Sequence, residues 1–160
     1  MSALVTIVIP VGPAHAVHVD TAVASCLWQT YDGWEAIVVN DSGTAIAPFA
    51  DPRIRVIDAP PGPGRRASIA RNAAFRQATT PFVVPLDADD YLLPTALATL
   101  LHGHAAHDAC YSYAWHYGLA KNGNWGLFRS PGYDRQRLSV YNLHPITALV
   151  PTAAVQAVGG

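Results

Sequence analysis

The sequence predicts an α/β domain with a mostly parallel central sheet and helices on both faces. Three observations predict it. Short aliphatic, β-branched runs alternate with helical patterns from the first residues onward. Those runs are continuously apolar rather than alternating, as strands covered on both faces must be. Polar turns close them: Asn40–Asp41–Ser42–Gly43 follows one, and Asp87–Ala88–Asp89–Asp90 follows another. In an open parallel sheet the carboxyl ends of the strands are where ligands bind.

Leu4–Pro10 is a β-branched run closed by proline, hence a first buried strand. Val11–Gly12–Pro13 turns the chain. Val19, Ala22, Val23, Cys26 and Leu27 recur at helical spacing and predict a helix from about Ala16 to Gln29, broken at Tyr31–Asp32–Gly33. Trp34–Asn40 is a second continuous strand. A weak helical segment, Thr44–Ala50, leads to a short third strand, Arg53–Asp58. Ala59–Gly64 holds three prolines and two glycines, too many for regular structure. Arg65 and Arg66 follow it, and Ile69, Ala70, Ala73 and Ala74 mark a helix over Ala67–Gln77. Pro81–Leu86 is the central strand, and Leu97, Leu100 and Leu101 define a helix after Pro94. Beyond His107 the pattern loosens. Ala109–Tyr117 resembles a strand, Gly118–Gly132 a hairpin or loop, Ile146–Val150 another strand, and Thr152–Val158 the start of a helix.

A length of 160 residues fits one domain that buries about two-thirds of its unfolded surface. With 51% hydrophobic and 13% charged residues, a packed core is expected and disorder is not. No apolar run could span a bilayer, and the start lacks a basic stretch followed by an apolar one. A cytoplasmic location is expected, free or at the cytoplasmic face of a membrane through sequence outside this chain. A net charge of −1 gives no electrostatic case for nucleic acid. Cys26 and Cys110 are too few for a disulfide framework, and Cys26 reads as a small core residue.

Asp87 and Asp89 stand one small residue apart. Carboxylates this close repel unless a positive charge lies between them. Either a divalent ion sits there, completed by diphosphate oxygens, or the acids form a solvated turn capping the helix after Pro94. Two nucleotide signatures are absent: no Gly-x-Gly-x-x-Gly follows the first strand, and there is no phosphate loop ending in Gly-Lys-Ser/Thr. What remains clusters at strand ends: Asp41, Arg71, Asp87 and Asp89. A carboxylate can accept from a ribose hydroxyl or a base N–H, an arginine can hold phosphate, and a metal on Asp89 could steady a departing diphosphate. His102, His104 and His107 suggest zinc, but only the last two share a helical face, so a polar helix end is the better account. Asp108 and His144 have no nameable partner.

Val5–Thr-Ile-Val-Ile-Pro10, Leu27–Trp-Gln-Thr-Tyr31 and Trp34–Glu-Ala-Ile-Val-Val-Asn-Asp-Ser-Gly43 together resemble the opening of the family-2 glycosyltransferases, which have the GT-A, Rossmann-like fold. Ala70–Arg-Asn-Ala73 and Leu86–Asp-Ala-Asp-Asp90 match that family's later blocks in order. The similarity is specific from Val5 to Pro94 and continues more weakly to Val158–Gly-Gly160.

The resemblance implies an inverting transferase of polysaccharide biosynthesis. It would move sugar from a nucleoside diphosphate donor, a UDP-sugar foremost, to a hydroxyl of a glycan, lipid or protein acceptor, assisted by Mg²⁺ or Mn²⁺. By position Asp41 would contact the base, Arg71 the base or diphosphate, and Asp87 the ribose or metal. Asp89 would be the metal ligand of a DxD motif, and Pro10 and Val11 would line the base pocket through backbone. Two departures stand out. Val11–Gly12–Pro13 replaces the family's polar, aromatic and asparagine residues, so an aromatic platform for the base is missing. The family's general base falls beyond Gly159–Gly160, and Asp134 is not assigned to that role. The whole chain, 1–160, is therefore expected to be a single nucleotide-sugar-binding domain, incomplete at its acceptor-side end. The alternative is a non-catalytic nucleotide-sugar-binding or scaffolding domain.

Overall fold

The computed structural model describes residues 3–61, 67–107, 115–119, 125–129, 134–140 and 146–159. Its main sheet has five strands in the order β3-β2-β1-β4-β7. These are β1 (Val5–Val11), β2 (Trp34–Asn40), β3 (Ile54–Asp58), β4 (Phe82–Pro85) and β7 (Val150–Pro151). The first four are parallel, and β7 joins β4 antiparallel as an edge. A separate antiparallel pair is formed by β5 (Trp115–Leu119) and β6 (Trp125–Arg129). The expectation of a mostly parallel sheet with helices on both faces is met.

Side-chain alternation on β1 divides the core. Val5, Ile7, Ile9 and Val11 face one layer, with α1 (Val19–Leu27) and α3 (Ala96–His107) packed over them through Val19, Val23, Cys26, Leu97 and Leu100. Val8 faces the other layer with Ile37, Val39 and Val83, beneath α2 (Ala67–Gln77) and α5 (Thr152–Ala157). The contacts of α2 are mostly alanines (Ala70, Ala73 and Ala74), which let its backbone approach the sheet closely. Thr6, fully buried on that side, spends its hydroxyl on Glu35 (2.8 Å) and Thr80 (2.7 Å).

Several predicted elements shift. Helix α1 starts at Val19 rather than Ala16, because successive tight turns (His15 N–H to Gly12 O, His18 N–H to His15 O) fill the stretch after Pro13. It ends before Gln29, whose buried side chain donates to Leu93 O and accepts from Leu97 N–H, clamping the segment after the acidic turn. The helix expected over Thr44–Ala50 does not form. Ser42 and Asn40 side chains capture the backbone of Thr44, Gly43 turns with φ +81°, and Ile46 and Phe49 pack on the core from a loop. The strand expected over Ile146–Val150 reduces to Val150–Pro151. Ala148 N–H donates back to Ile146 O, a bend no extended segment makes. The strand expected over Ala109–Tyr117 overlaps β5 at Trp115–Tyr117, and in the stretch expected to be a hairpin or loop, Gly118–Gly132, β6 pairs antiparallel with β5; 120–124 and 130–133 lie outside the described residues. Residues 109–114, together with Arg65, Arg66, Asp108 and His144, lie outside the described residues.

His104 packs its ring edge-on against Phe82, 4.7 Å between centroids, and no group of three or more potential metal ligands exists among the described residues. Asp134 caps α4 (Arg135–Leu138), accepting from Gln136 N–H and Arg137 N–H. That is a structural duty. No helix among the described residues is long and apolar enough to cross a membrane.

Cys26 is fully buried and its thiol donates to Ala22 O, 3.3 Å away. Burial pushes the thiol up from 9.0 to about 12, against a smaller opposing hydrogen bond from Ser25. A shift of this size lowers the thiolate fraction near neutral pH about a thousandfold. Alkylation at pH 8.5, mapped by peptide mass, should therefore leave Cys26 unmodified in the native protein and modify it in urea. The folded state keeps this proton to higher pH than the unfolded chain. Its contribution to stability should hold below pH 9 and decline as pH rises toward 12, measured by urea melts.

Candidate functional site

The order β3-β2-β1-β4 reverses direction beside β1, and a crevice opens there at the carboxyl ends of the strands. Parallel registers set its height. Val11 lies opposite Asn40, and Val8 opposite Pro85. The ladders run on into the loops, with Asp41 N–H donating to Val11 O (2.9 Å) and Leu86 N–H to Val8 O (2.9 Å). Asp41 and Asp87 consequently leave their strands on opposite flanks of β1 and converge on one cleft of about 550 Å³.

All six predicted site residues, Pro10, Val11, Asp41, Arg71, Asp87 and Asp89, line that cleft. Leu86 and Ala88 are buried, which anchors the acidic turn and leaves Asp87 and Asp89 directed at the cleft from alternate positions. Their surroundings differ. Arg71 Nη2 donates to Asp87 Oδ1 at 2.5 Å, and its side chain is only 16% exposed. The Arg71 Nε atom is buried with no hydrogen-bond partner among the described residues. Asp89 is 52% exposed, and the His15 imidazole stands beside it, Nε2 3.7 Å from Oδ2. One carboxylate is neutralised by the protein, and the other stands open.

Sequence reasoning did not single out His15 or Ala67, both of which line the cleft. His15 and Gly12 lie in the loop after β1, so the strand-end rule that found Asp41 and Asp87 extends to them. Ala67 opens α2, turning that helix's N-terminal backbone toward the cleft, where an anion is favoured. Apart from His15 no aromatic ring lines the cleft among the described residues. A second depression of about 610 Å³, lined by Asn40, Thr44, Ile46 and Asp58, adjoins the first across Asp41.

The donor set decides which cation would fit. A structural zinc site needs about four protein ligands, more than these residues bring together. One free carboxylate beside a cleft suits an ion that takes most of its shell from diphosphate oxygens and water. Asp89 is the residue that would hold it, with charge stabilisation of a departing diphosphate as the chemistry supplied.

The family model described as glycosyl transferase family 2 matches residues 6–156. Among curated proteins, the Escherichia coli UDP-Glc:alpha-D-GlcNAc-diphosphoundecaprenol beta-1,3-glucosyltransferase WfgD is 28% identical over 134 residues. That match covers 80% of this chain and 51% of the relative, so the chain spans about half that protein's length. Among solved structures, S. aureus TarS 1-349 in complex with UDP-GlcNAc superposes with a TM-score of 0.64 at 19% identity, covering 98% of this chain and 47% of the other. The same protein in complex with UDP gives 0.52 at 20% identity, covering 69% and 34%. At these identities the structural matches establish the fold.

The Arg71–Asp87 pair makes the two acids unequal for stability. Asp87→Asn leaves a largely buried guanidinium with a weakened partner and should cost about 1–3 kcal/mol. Asp89→Asn, at a half-exposed position, should stay within about 0.5 kcal/mol of wild type. Urea midpoints at pH 7 measure the difference.

Proposed function

This chain belongs to glycosyl transferase family 2, and on that premise we propose that residues 1–160 form the nucleotide-sugar-binding domain of an inverting, metal-assisted glycosyltransferase. The observation that carries the reading is the convergence of Asp41, Arg71, Asp87 and Asp89 on one cleft at the switch point of the sheet. A nucleoside diphosphate needs a base acceptor, a ribose contact and a counter-charge for its phosphates. The cleft offers each from a different element.

In this reading Asp41 accepts from a base N–H, with Pro10 and Val11 forming the wall beside it. Asp87, steadied by Arg71, accepts from the ribose, and Arg71 keeps Nε for the base or diphosphate. Asp89 holds Mg²⁺ or Mn²⁺ against the diphosphate. A uracil donor is favoured because WfgD is named for UDP-Glc and a TarS structure contains UDP-GlcNAc. A hydroxyl acceptor attacking opposite the diphosphate gives inversion, and its proton must pass to a base within hydrogen-bond reach. No described residue is assigned that task, since Asp134 is committed to its helix cap. The acceptor is a glycan or a lipid-linked sugar, in line with the diphosphoundecaprenol substrate in WfgD's name. Such chemistry belongs to polysaccharide assembly, in the cytoplasm or at the cytoplasmic face of a membrane.

Calorimetry with UDP, with and without Mn²⁺, tests the reading. Binding should strengthen with Mn²⁺. Asp89→Asn should remove the metal-dependent gain, about tenfold or more, and leave metal-free affinity unchanged. Asp41→Ala should weaken UDP under both conditions, because a base contact does not depend on the cation. No binding of UDP, GDP or CDP with either metal would overturn the proposal.

A further inference from the structure

We propose that His15 is a second protein ligand, through Nε2, for the divalent cation held by Asp89, and that it sets a preference for first-row transition ions over Mg²⁺. The inference rests on the metal role of Asp89 in the reading above and adds a residue which that reading does not use.

Charge and geometry lead there together. Arg71 already neutralises Asp87, so the two acids of the turn do not compete equally for a cation. Asp89 faces the cleft half-exposed, and His15 Nε2 lies 3.7 Å from its Oδ2. Neighbouring ligands on one octahedral ion stand about 3 Å apart. Both side chains are about half exposed, so a small rotation closes that gap. The His15 backbone is fixed by paired turn bonds, its N–H to Gly12 O and its carbonyl to His18 N–H, each 3.0 Å. The imidazole sits over this loop, with the place of a β-carbon on Gly12 at 3.4 Å, ordinary contact distance, from Nδ1. The loop that lacks an aromatic platform thus presents a metal-ligating ring beside the acidic turn.

The chemistry follows from ligand type. Mg²⁺ holds to oxygen ligands, whereas imidazole nitrogen is favoured by first-row transition ions. Adding one nitrogen to an otherwise oxygen shell shifts the balance toward Mn²⁺ and Co²⁺. With two protein ligands, the remaining positions stay available to diphosphate oxygens and water.

Pulsed electron paramagnetic resonance of Mn²⁺ bound to the full chain, alone and with UDP, reads the ligand directly. Wild type should show nitrogen coupling of a bound imidazole, and His15→Ala should lose it, while His18→Ala, a control at an exposed neighbour, retains it. Calorimetry should show the Mn²⁺-to-Mg²⁺ affinity ratio falling about tenfold in His15→Ala. His15→Gln, which keeps bulk and polarity, should behave as His15→Ala, and unchanged thermal melts show that the fold is intact. Mn²⁺ bound without nitrogen coupling, or an unchanged ratio, overturns the inference while UDP binding keeps the nucleotide reading. Nitrogen-coupled Mn²⁺ lost in His15→Ala, in a chain that binds no nucleotide, keeps the inference and sinks that reading. A chain that takes up no Mn²⁺ overturns it.

Discussion

Parallel pairing along both edges of β1 fixes where β2 and β4 end, Asn40 opposite Val11 and Pro85 opposite Val8, and the cleft exists because of that constraint. Each of these loops leaves from the carboxyl end of a parallel strand, so side chains distant in sequence meet without any long connection to place them. Asp41 arrives from one flank and the acidic turn from the other. Helix α2 brings Arg71 across the top, held close to the sheet by its alanine face. Slipping either register by one residue would turn the core side chains of that strand to the wrong layer. The hydrophobic pattern therefore fixes the site as firmly as it fixes the fold.

Within the cleft, the division between the two acids matters more than their number. Two open carboxylates one residue apart would repel each other and any diphosphate. The guanidinium of Arg71 turns one of them into a fixed, neutralised acceptor. The other, Asp89, is left half-exposed at the cleft. A pair of identical residues is split into two environments by one arginine on a neighbouring helix.

Much of this was legible in the chain. Trp34–Asn40 and Ala67–Gln77 are found over the residues expected, because a continuous β-branched run and an alanine-rich 3.6-residue period leave little choice. That the six expected residues share one cleft was legible because the strand-end rule and the family's motif blocks select the same positions. Thr44–Ala50 misled because its composition is compatible with a helix, while the competing hydrogen bonds come from Asn40 and Ser42 outside the segment. Ile146–Leu149 misled for a related reason, since apolar content alone does not distinguish a strand from a buried bend. His15 escaped notice because its neighbour Asp89 is distant in sequence, and only the folded registers bring the two loops together.

The central strand also carries a timing problem. Val5 pairs with Trp34 on one side but with Phe82 on the other. As the chain leaves the ribosome, β1 and β2 can meet early, yet one edge of β1 stays unsatisfied until Phe82–Pro85 has emerged. An open hydrophobic edge at the middle of a nascent sheet invites intermolecular pairing. Slow, non-local closure of this kind makes the last parallel partner the step on which a productive yield of folded protein turns.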